Sequence, residues 1–563
     1  MHSVWRIHPP DSKRVETLSK AIGVSPLTAQ LLINRGVRDI RAAKRFLNPN
    51  LGLLDEPLEL PDMERGVERI KQAITRKEPI LIFGDSDIDG ISASVILYEL
   101  LCKCGAVVCA RQSNRITDGY GLPQSAIKHI IRSSIKLVIL VDCGTNQPDA
   151  IRQLSSCGID TIIIDHHVPL DESARPLALI NPHCTASQYQ RELSSSGIAF
   201  KVAQALLLGK SSKELEANLD LATLGTLGDY SQLIGDNRII ASLGLPRITQ
   251  SHRKGLARLC NVTCTTKPEP EHIAKRLIPR LNASGRLGDV RAVWHLLLES
   301  CGKKLEECIC ATEEAHTEAK RMHQRIFSEA REQVDRMHFR DQYVLLVSGS
   351  GWHRGFMGSL ASQLSERYGR AAIALAMDES CGVGSGRSVP HLNLLSVLKS
   401  CEKLLVQFGG HAQACGLTIE RKCIGQFRES VNNLVRQSLG REGLLKRRLV
   451  DLELTIDSIS PSWAEEISEL APFGKGNERP TVLLRNLTID VKSIRKSVIS
   501  DGKHSSYARG SFGAVVRGNR YDVVVNPATS GGELLLMVKD MRSTSSTADL
   551  PSGDMAPYEP VPI

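Results

Sequence analysis

Aromatic residues are scarce, at only 4% of the 563 residues, so a sugar or drug pocket lined by aromatic rings is not expected. No stretch approaches the roughly 18 apolar residues that a membrane-spanning helix needs, and the first residues form no apolar secretory core. No block of five or more like charges marks a nucleic-acid-binding tail. These absences favour a folded cytoplasmic protein that has no contact with a membrane.

Cysteine is not scarce, with 15 residues, but the spacing that would give the cysteines a role is missing. Cys102/Cys104 and Cys308/Cys310 are isolated pairs, without a second pair at the distance that a zinc site requires. We interpret the cysteines as reduced side chains that pack like small apolar residues. The net charge of +9 permits an anionic partner.

Short apolar runs at residues 79–83, 137–141 and 161–164 predict buried strands, and stretches with helical spacing separate them. This alternation predicts an α/β domain with a doubly wound parallel sheet. Polar residues follow each run at once, with an aspartate at positions 85, 142 and 165. Ligands bind at the carboxyl ends of the strands in such sheets, so these aspartates mark the candidate site.

The rest of the chain predicts three further parts. Residues 303–347 contain neither glycine nor proline, and apolar residues recur every three or four positions, which predicts one long amphipathic helix. Runs at 342–347 and 371–376 predict a second α/β domain, and short β-rich runs at 449–456, 482–491, 512–516, 521–525 and 534–538 predict a small barrel. The predicted boundaries are a helical segment at 1–75, the first α/β domain at 76–290, a connecting helix at 291–340, the second α/β domain at 341–440, the barrel at 445–541 and a disordered tail at 542–563.

Asp85-Ser-Asp87-Ile-Asp89 places three carboxylates at alternate positions, where they can point the same way. Like charges this close repel one another unless a cation neutralises them, so the string indicates a divalent metal. A solvated acidic turn is the simpler alternative. A calcium loop is not favoured, because the glutamate that it requires is replaced by Ile96.

Asp165-His166-His167 adds imidazole ligands at another strand end, and a carboxylate–imidazole mixture suits Mn²⁺ or a similar ion. Asp142 and Asp229 are further candidate ligands, although each alone also suits a turn. So many donors are sufficient for two ions, which together can clamp a phosphate and generate hydroxide. The residues therefore predict a metal-dependent phosphoryl hydrolase.

Residues beyond the acidic cluster indicate phosphate binding. Gly384-Ser-Gly-Arg-Ser388 offers backbone N–H groups, hydroxyls and a guanidinium, which suits a phosphate cradle, although the same string also suits a hairpin turn. Arg286 can pair with a phosphate through two parallel hydrogen bonds. Tyr120 can stack on a base, although a tyrosine between glycines is often only packing.

Taken in order, these motifs resemble the DHH phosphoesterase superfamily, and most closely its RecJ family of 5′→3′ exonucleases that act on single-stranded DNA. The matching strings are Gly84–Gly90, Val141–Gly144, Asp165–His167, Gly225–Asp229, Pro279–Arg286, Gly351–Gly355, Gly384–Ser388, Phe408–Ala412 and Pro472–Asn477. The resemblance implies a DHH domain, a connecting helix, a DHHA1 domain across a cleft, and a C-terminal OB-fold barrel.

The resemblance also implies roles for particular residues. The metal ligands for two Mn²⁺ or Mg²⁺ ions would be Asp85, Asp87, Asp89, Asp142, His166 and Asp229. Asp142, His166 and His167 would act in catalysis. The DNA contacts would be Arg115, Tyr120, Arg286, Ser385, Arg387, Ser388 and His411.

The chain departs from the family pattern at a few positions. Relatives commonly have tyrosine where Ser86 stands and alanine where Ile88 stands. The fourth motif commonly reads Ala-Asp-Val-Val-Pro, whereas this chain has Gly228-Asp-Tyr-Ser-Gln232. No candidate ligand is missing.

The resemblance implies degradation of single strands to mononucleotides in DNA recombination and repair. Only a threaded single strand would reach metals at the bottom of a cleft, and a barrel would add a binding groove. Partners would include a single-stranded-DNA-binding protein and a helicase, and we expect a monomer. The alternatives are a DHH phosphodiesterase for short oligoribonucleotides or cyclic dinucleotides, and an inactive DNA-binding scaffold.

Overall fold

The computed structural model describes residues 4–170, 175–184, 190–208, 212–263, 268–298, 302–440, 442–444, 447–493, 496–512, 515–516 and 518–544. The chain forms two compact units, of which the larger comprises Arg45–Lys446 and Pro472–Glu478. The smaller unit comprises Met1–Lys44, Arg447–Ala471 and Arg479–Ile563. Within the described ranges, no helix has both the length and the apolar character that crossing a bilayer requires.

The N-terminal segment is mainly helical, as its periodicity predicts. It contains β1 (Val4–Ile7), α1 (Ser12–Ile22), α2 (Pro26–Asn34) and α3 (Ile40–Leu47). Gly23 ends α1 in a left-handed conformation, with φ of 73°. The Ser25 hydroxyl then caps α2, and a proline occupies the first turn of that helix.

The first sheet of the larger unit is parallel throughout, and helices cover both of its faces. Its elements are α4 (Met63–Arg76), β2 (Ile80–Gly84), α5 (Ile88–Lys103), β3 (Val108–Gln112), α6 (Gln124–Arg132), β4 (Leu137–Val141), α7 (Pro148–Ser156), β5 (Asp160–Ile164) and β6 (Ala178–Ile180). The strand order is β3-β2-β4-β5-β6. Ile80 and Ile82 pack with α5, whereas Leu81 and Phe83 pack with α6 and α7 on the other face. The predicted doubly wound sheet is confirmed.

A group of helices follows the first sheet and builds most of its larger core. These are α8 (Ser195–Leu206), α9 (Ser212–Glu216), α10 (Leu219–Gly228), α11 (Gly235–Thr249), α12 (Lys254–Val262), α13 (Pro270–His272), the π-helical turn Ile273–Leu277, α14 (Ile278–Leu287) and α15 (Arg291–Leu298). Helices α8 and α10 pack against α5 and are buried along nearly their whole length. They contact the first turn of α5, where Ser195 and Ser196 of α8 donate to Asp89 and Gly228 of α10 approaches Ile88.

A long helix, α16 (Lys303–Asp335), leads into the second sheet. Its buried stripe includes Ala319, Ile326, Ala330 and Val334, as the spacing predicts. The helix ends at Asp335, and most of the run at 342–347 forms a strand, Val344–Ser350, as the pattern of that run predicts. After residue 335 the apolar residues become consecutive, and that pattern suits a buried strand rather than one face of a helix.

The second sheet has one parallel pair and is otherwise antiparallel. Its elements are β7 (Val344–Ser350), α17 (Met357–Tyr368), β8 (Ala371–Met377), β9 (Cys381–Arg387), α18 (Leu394–Ser400), β10 (Gln407–His411), β11 (Ala414–Glu420) and α19 (Ile424–Leu439). The order is β10-β11-β9-β8-β7. Helices α16 and α17 cover one face, and α18 and α19 cover the other.

The smaller unit contains a closed β-barrel, which confirms the predicted barrel. Its elements are β12 (Arg447–Val450), β13 (Leu452–Leu454), α20 (Pro461–Ser468), β14 (Val482–Ser493), β15 (Lys496–Ser500), β16 (Ser505–Arg509), β17 (Tyr521–Ser530) and β18 (Glu533–Ser543). The pairing of β14 with β17 closes the five strands β14-β15-β16-β18-β17 into a ring. In the same unit, β1 pairs with β12 in parallel.

Some predicted features of the barrel region differ from the structure. Residues 512, 515 and 516 belong to no strand, and the rest of the predicted strand 512–516 lies outside the described residues. Strands β15 and β16 were not predicted, because their serine-rich sequences carry little apolar periodicity. Residues 542 and 543 of the predicted tail belong to β18, and residues 545–563 lie outside the described part of the chain.

Candidate metal and phosphate site

The parallel strands bring acidic and imidazole side chains to one edge of the first sheet. Asp85 follows β2, Asp142 follows β4, and the string 165–167 follows β5. The chain order of the sheet reverses between β2 and β4, and loops diverge at such a point to leave a crevice. Asp142 adopts a left-handed backbone conformation, with φ of 60°, which is unusual for a residue other than glycine.

Side chains of this crevice form overlapping groups that are close enough to share divalent cations. One ligand atom from each of Asp85, Asp87 and Asp142 lies within 4.8 Å of the other two, and the same holds for the groups Asp89/His166/Asp229 and Asp142/His166/His167. Nε2 of His166 lies 3.4 Å from an oxygen of Asp142 and 3.6 Å from an oxygen of Asp229. Asp142 and His166 therefore connect the groups.

The buried carboxylates of this cluster repel one another when no cation is bound. Burial, together with the nearby carboxylate of Asp229, raises the pKa of Asp89 to about 6. Burial also raises the pKa of Asp142 well above its usual range, with a contribution from Asp87. Burial would lower the pKa of His166, but Asp229 and Asp142 hold it well above its ordinary value. A divalent cation would relieve this repulsion, and carboxylates with one imidazole suit Mn²⁺ or Mg²⁺, so the residues fit the implied ions.

The N-terminus of α8 fixes two of these carboxylates. The backbone N–H groups of Ser195 and Ser196 donate to Asp89 at 2.8 and 2.9 Å, and the Ser195 hydroxyl donates to Asp142 at 2.8 Å. The positive end of the helix dipole also favours negative charge there. Sequence reasoning missed these serines, although three serines and a glycine directly before an apolar stretch are a typical helix-start signal.

Asp165 orients the two histidines instead of joining the ligand groups. It is fully buried, and it accepts hydrogen bonds from the backbone of His166 at 2.8 Å and of Thr145 at 3.2 Å. Its carboxylate lies 2.7 Å from Nδ1 of His167. Burial would lower the pKa of His167, but Asp165 raises it to about 9. Nε2 is therefore the nitrogen of His167 that stays available to a ligand.

Two residues that are predicted to contact DNA, Arg115 and Tyr120, form contacts within the acidic crevice. Arg115 forms ion pairs with Asp85 and with Asp87, the latter at 3.1 Å, so its guanidinium lies on candidate ligands. The Tyr120 hydroxyl donates to the carbonyl oxygen of Asp142 at 3.2 Å and lies 3.0 Å from Nδ1 of His167. Base stacking by Tyr120 stays a prediction.

Two departures from the family pattern lie against each other. Ile88, between Asp87 and Asp89, is fully buried. A Cβ atom added at Gly228, just before Asp229, would overlap Cγ2 of Ile88. The larger residue at one position is therefore accommodated by the smaller residue at the other, and the close approach brings α10 onto the first turn of α5.

A cationic cluster lies where α14, α17 and β9 approach one another. A Cβ at Gly358, in the first turn of α17, would lie 3.3 Å from Arg387 and 3.7 Å from Ser385. Gly355 packs more closely still, since a Cβ there would lie 2.5 Å from the carbonyl oxygen of Arg286. No carboxylate of the described chain lies within ion-pair distance of either arginine, and burial lowers the pKa of both. Half-buried cations without acidic partners at a helix N-terminus are typical of an anion site.

The structure corrects two predictions for the second sheet. Gly384–Arg387 is part of β9, and β8 and β11 pair with it on both sides, so its backbone cannot form the predicted phosphate cradle. Alternation along the strand places Ser385 and Arg387 on one face and Ser388 on the other, where the Ser388 hydroxyl donates to the carbonyl of Leu392 at 2.7 Å. His411, at the end of β10, lies within electrostatic reach of both Arg387 and His167.

Three family models match the chain. The DHH family, N-terminal domain, matches residues 79–228, the DHHA1 domain matches residues 341–437, and the RecJ OB domain matches residues 450–508. Each of the two sheets and the barrel therefore has a counterpart among known families.

Named relatives extend this likeness over most of the chain. The single-stranded-DNA-specific exonuclease RecJ of Bacillus subtilis is 34% identical over 87% of this chain, which spans only 62% of that protein. RecJ of Dickeya dadantii is 31% identical over 81% of this chain and 82% of the relative. The structure of Thermus thermophilus RecJ in complex with Mn²⁺ shares the fold, with a TM-score of 0.83 at 23% identity over 98% of this chain and 81% of that one. The chain therefore belongs to the RecJ family of single-stranded-DNA-specific exonucleases.

Proposed function

We propose that this chain is a metal-dependent exonuclease that hydrolyses single-stranded DNA in the 5′→3′ direction and releases mononucleotides. The observation that carries the proposal is the pair of acidic groups that meet at Asp142 and His166, close to arginines without acidic partners. Such a site combines donors for divalent ions with cations for a phosphate. We place the enzyme in the cytoplasm, in DNA recombination and repair.

The grouping of donor atoms supports an assignment of ligands to two ions. Asp85, Asp87 and Asp142 would hold one ion, and Asp89, His166 and Asp229 would hold the other. Two bound Mn²⁺ or Mg²⁺ ions would supply an activated water and would stabilise the charge on the phosphate. Arg115 would neutralise the outer carboxylates and so influence how strongly they hold an ion.

His167 would act on the substrate rather than as the main ligand. Asp165 holds the Nδ1 edge of His167, and the raised pKa keeps the ring protonated near neutral pH. Nε2 can then donate a hydrogen bond to an oxygen of the scissile phosphate. Tyr120 limits the rotation of this ring from the other side.

The cationic cluster would bind the phosphates of the strand, including the phosphate of the 5′ end. Arg286, Arg387 and the Ser385 hydroxyl surround the N-terminus of α17, and each can donate to phosphate oxygens. His411 would bridge from this cluster to His167. Fixed donors of this kind stabilise charge as it develops in the transition state.

The substrate would be a strand rather than a short fragment. The RecJ OB domain matches within the barrel, and barrels of this class combine a positive groove with surfaces on which bases stack. A DHH phosphodiesterase for dinucleotides would not require that barrel. Comparing the rates on a dinucleotide and on a 40-mer separates the two functions, because only an exonuclease prefers the longer substrate. A single-stranded-DNA-binding protein and a helicase remain predicted partners.

The decisive experiment is Asp142→Asn, assayed with Mn²⁺ on single strands that carry the label at the 5′ or the 3′ end. We expect at least about a 100-fold lower rate, since even groups that orient metal ligands are worth 10- to 100-fold. Asp149→Asn is the matched control, because Asp149 is an exposed aspartate in the first turn of α7. Wild-type activity of Asp142→Asn, or release of the 3′ label first, would contradict the proposal.

A further inference from the structure

Tyr230 directly follows the candidate ligand Asp229, and its side chain has little packing. The residue is 69% exposed, and its hydroxyl donates no hydrogen bond to a described residue. Its backbone is left-handed, with φ of 61°, a conformation that is costly for a bulky side chain. Residues held in such conformations concentrate at functional sites, and Asp142 in the same crevice is another example.

A short hairpin brings a cation to the Tyr230 ring. Gly474 and Asn477 pair in an antiparallel bridge, and the carbonyl of Lys475 accepts a hydrogen bond from the N–H of Leu233 at 2.7 Å. This bond ties the hairpin to the loop after Asp229. Nζ of Lys475 lies 5.6 Å from the centroid of the Tyr230 ring, within the range of a cation–π contact.

The positive charge of Lys475 is also close enough to influence titratable groups of the acidic crevice. Its ammonium acts on His411, which in turn lies within reach of His166. It acts on Glu192 as well, which is within reach of Asp229. The carboxylates of Glu478 and Glu366 lie within electrostatic reach of the Tyr230 hydroxyl, so negative charge acts on that end of the ring. The surface around Tyr230 is therefore positive on the side of Lys475 and negative on the side of the hydroxyl.

We propose that Tyr230 and Lys475 form a contact site for one nucleotide of the single strand, next to the scissile phosphate. The tyrosine ring stacks on the base, and the lysine ammonium contacts the backbone phosphate of that nucleotide. The acidic groups at the hydroxyl keep phosphates away from that end, so the strand lies with its backbone towards Lys475. This inference rests on the proposed exonuclease function.

Stacking on an aromatic ring tolerates any base, because every base has a π face, and removal of such a ring costs about 5- to 100-fold in affinity. A site of this kind would hold the strand in register after each nucleotide is removed. It would not select a sequence.

An abasic scan tests the stacking contact. Strands with one abasic position at successive places from the 5′ end are compared with the intact strand by kcat/KM. We expect wild type to lose about 10-fold or more at one position near the 5′ end, and Tyr230→Ala to show no such loss there. Each variant is compared only with itself, so a general effect on Asp229 cancels. Tyr230→Phe should keep the position-specific loss, and Tyr230→Leu, which keeps bulk without a π face, should not.

The salt dependence tests Lys475. Lys475→Gln should reduce the slope of log affinity against log salt by about 1, which is the loss of one phosphate contact. Lys422→Gln, at an exposed lysine of the second sheet domain, should leave the slope unchanged. If wild type degrades strands but its abasic profile equals that of Tyr230→Ala, this inference fails while the exonuclease assignment stands. If wild type does not degrade single strands at all, both fail.

Discussion

Adding one methyl group at Gly228 should separate α10 from α5 at the metal site. The new Cβ would fall well inside the contact distance of about 3.5–4.0 Å from Cγ2 of Ile88. Ile88 is fully buried between two candidate ligands, so the clash cannot be relieved by turning the side chain into solvent. We expect Gly228→Ala to lower the free energy of unfolding by about 1–3 kcal/mol, the usual cost of overpacking.

The two single changes should have effects that do not add. Ile88→Ala alone leaves a cavity and should cost about 2–5 kcal/mol. In the Ile88→Ala background, the Gly228→Ala methyl group meets only the Cβ atom at position 88, at an ordinary contact distance of 3.6 Å, and fills part of that cavity. The double variant should therefore be more stable than the sum predicts, with a coupling energy of about 2 kcal/mol.

Chemical denaturation of the four proteins measures this cycle, and Mn²⁺ titration of the same proteins reports the spacing of the adjacent ligands. Gly425→Ala in α19 is the control, because an added Cβ there meets nothing within 4 Å. That change should be neutral or stabilising by up to about 1 kcal/mol. Additivity of the two site changes within about 0.5 kcal/mol would refute the argument, because it would mean that the two residues do not share one space.

Three further predictions follow from the charges of the larger unit. Chelation by EDTA should abolish nuclease activity, and each Mn²⁺ ion at 100 times its Kd should add about 2.7 kcal/mol to the free energy of unfolding, as measured by denaturation. Mn²⁺ affinity should fall as the pH drops from 8 to 6, because the raised pKa of His166 keeps a proton on the imidazole and the metal must displace that proton. Calorimetry in buffers of different ionisation enthalpy should show that Mn²⁺ binding releases protons. Binding without proton release would contradict the assignment of His166 as a ligand. Arg253→Met should cost about 3–5 kcal/mol because it leaves Asp220 buried without its cation, whereas Arg247→Met at an exposed ion pair should cost less than about 1 kcal/mol by the same measurement.

The local pattern of apolar residues was sufficient to predict the architecture of the first sheet. Residues 137–141 are uninterrupted apolar residues, and they form β4 with the predicted bounds. Such a run can only be buried, and the helical periodicity between the runs leaves a parallel sheet as the way to bury both faces. The aspartates that follow the runs then had to meet at one edge of the sheet.

Sequence pattern did not predict the structure where the environment of a residue depends on neighbours that are distant in sequence. Strand β9 contains three glycines, which carry no periodicity, and only its pairing with β8 and β11 reveals that the string is a strand. The same pairing explains why Ser385 and Arg387 share a face while Ser388 does not. The ion pairs of Arg115 with Asp85 and Asp87 could not be predicted from local pattern either, because they depend on how the loop after β3 returns to β2.

The sequence by itself determined the family, the sheets and the set of acidic and imidazole side chains, because these follow from short-range periodicity and from motifs in fixed order. Only the tertiary structure decided which donors stand together, that α8 supplies Ser195 and Ser196 to the carboxylates, and that Ile88 and Gly228 occupy one space. Those relations join residues far apart in the chain, and their distances are set by the packing of α5, α8 and α10 rather than by any local preference.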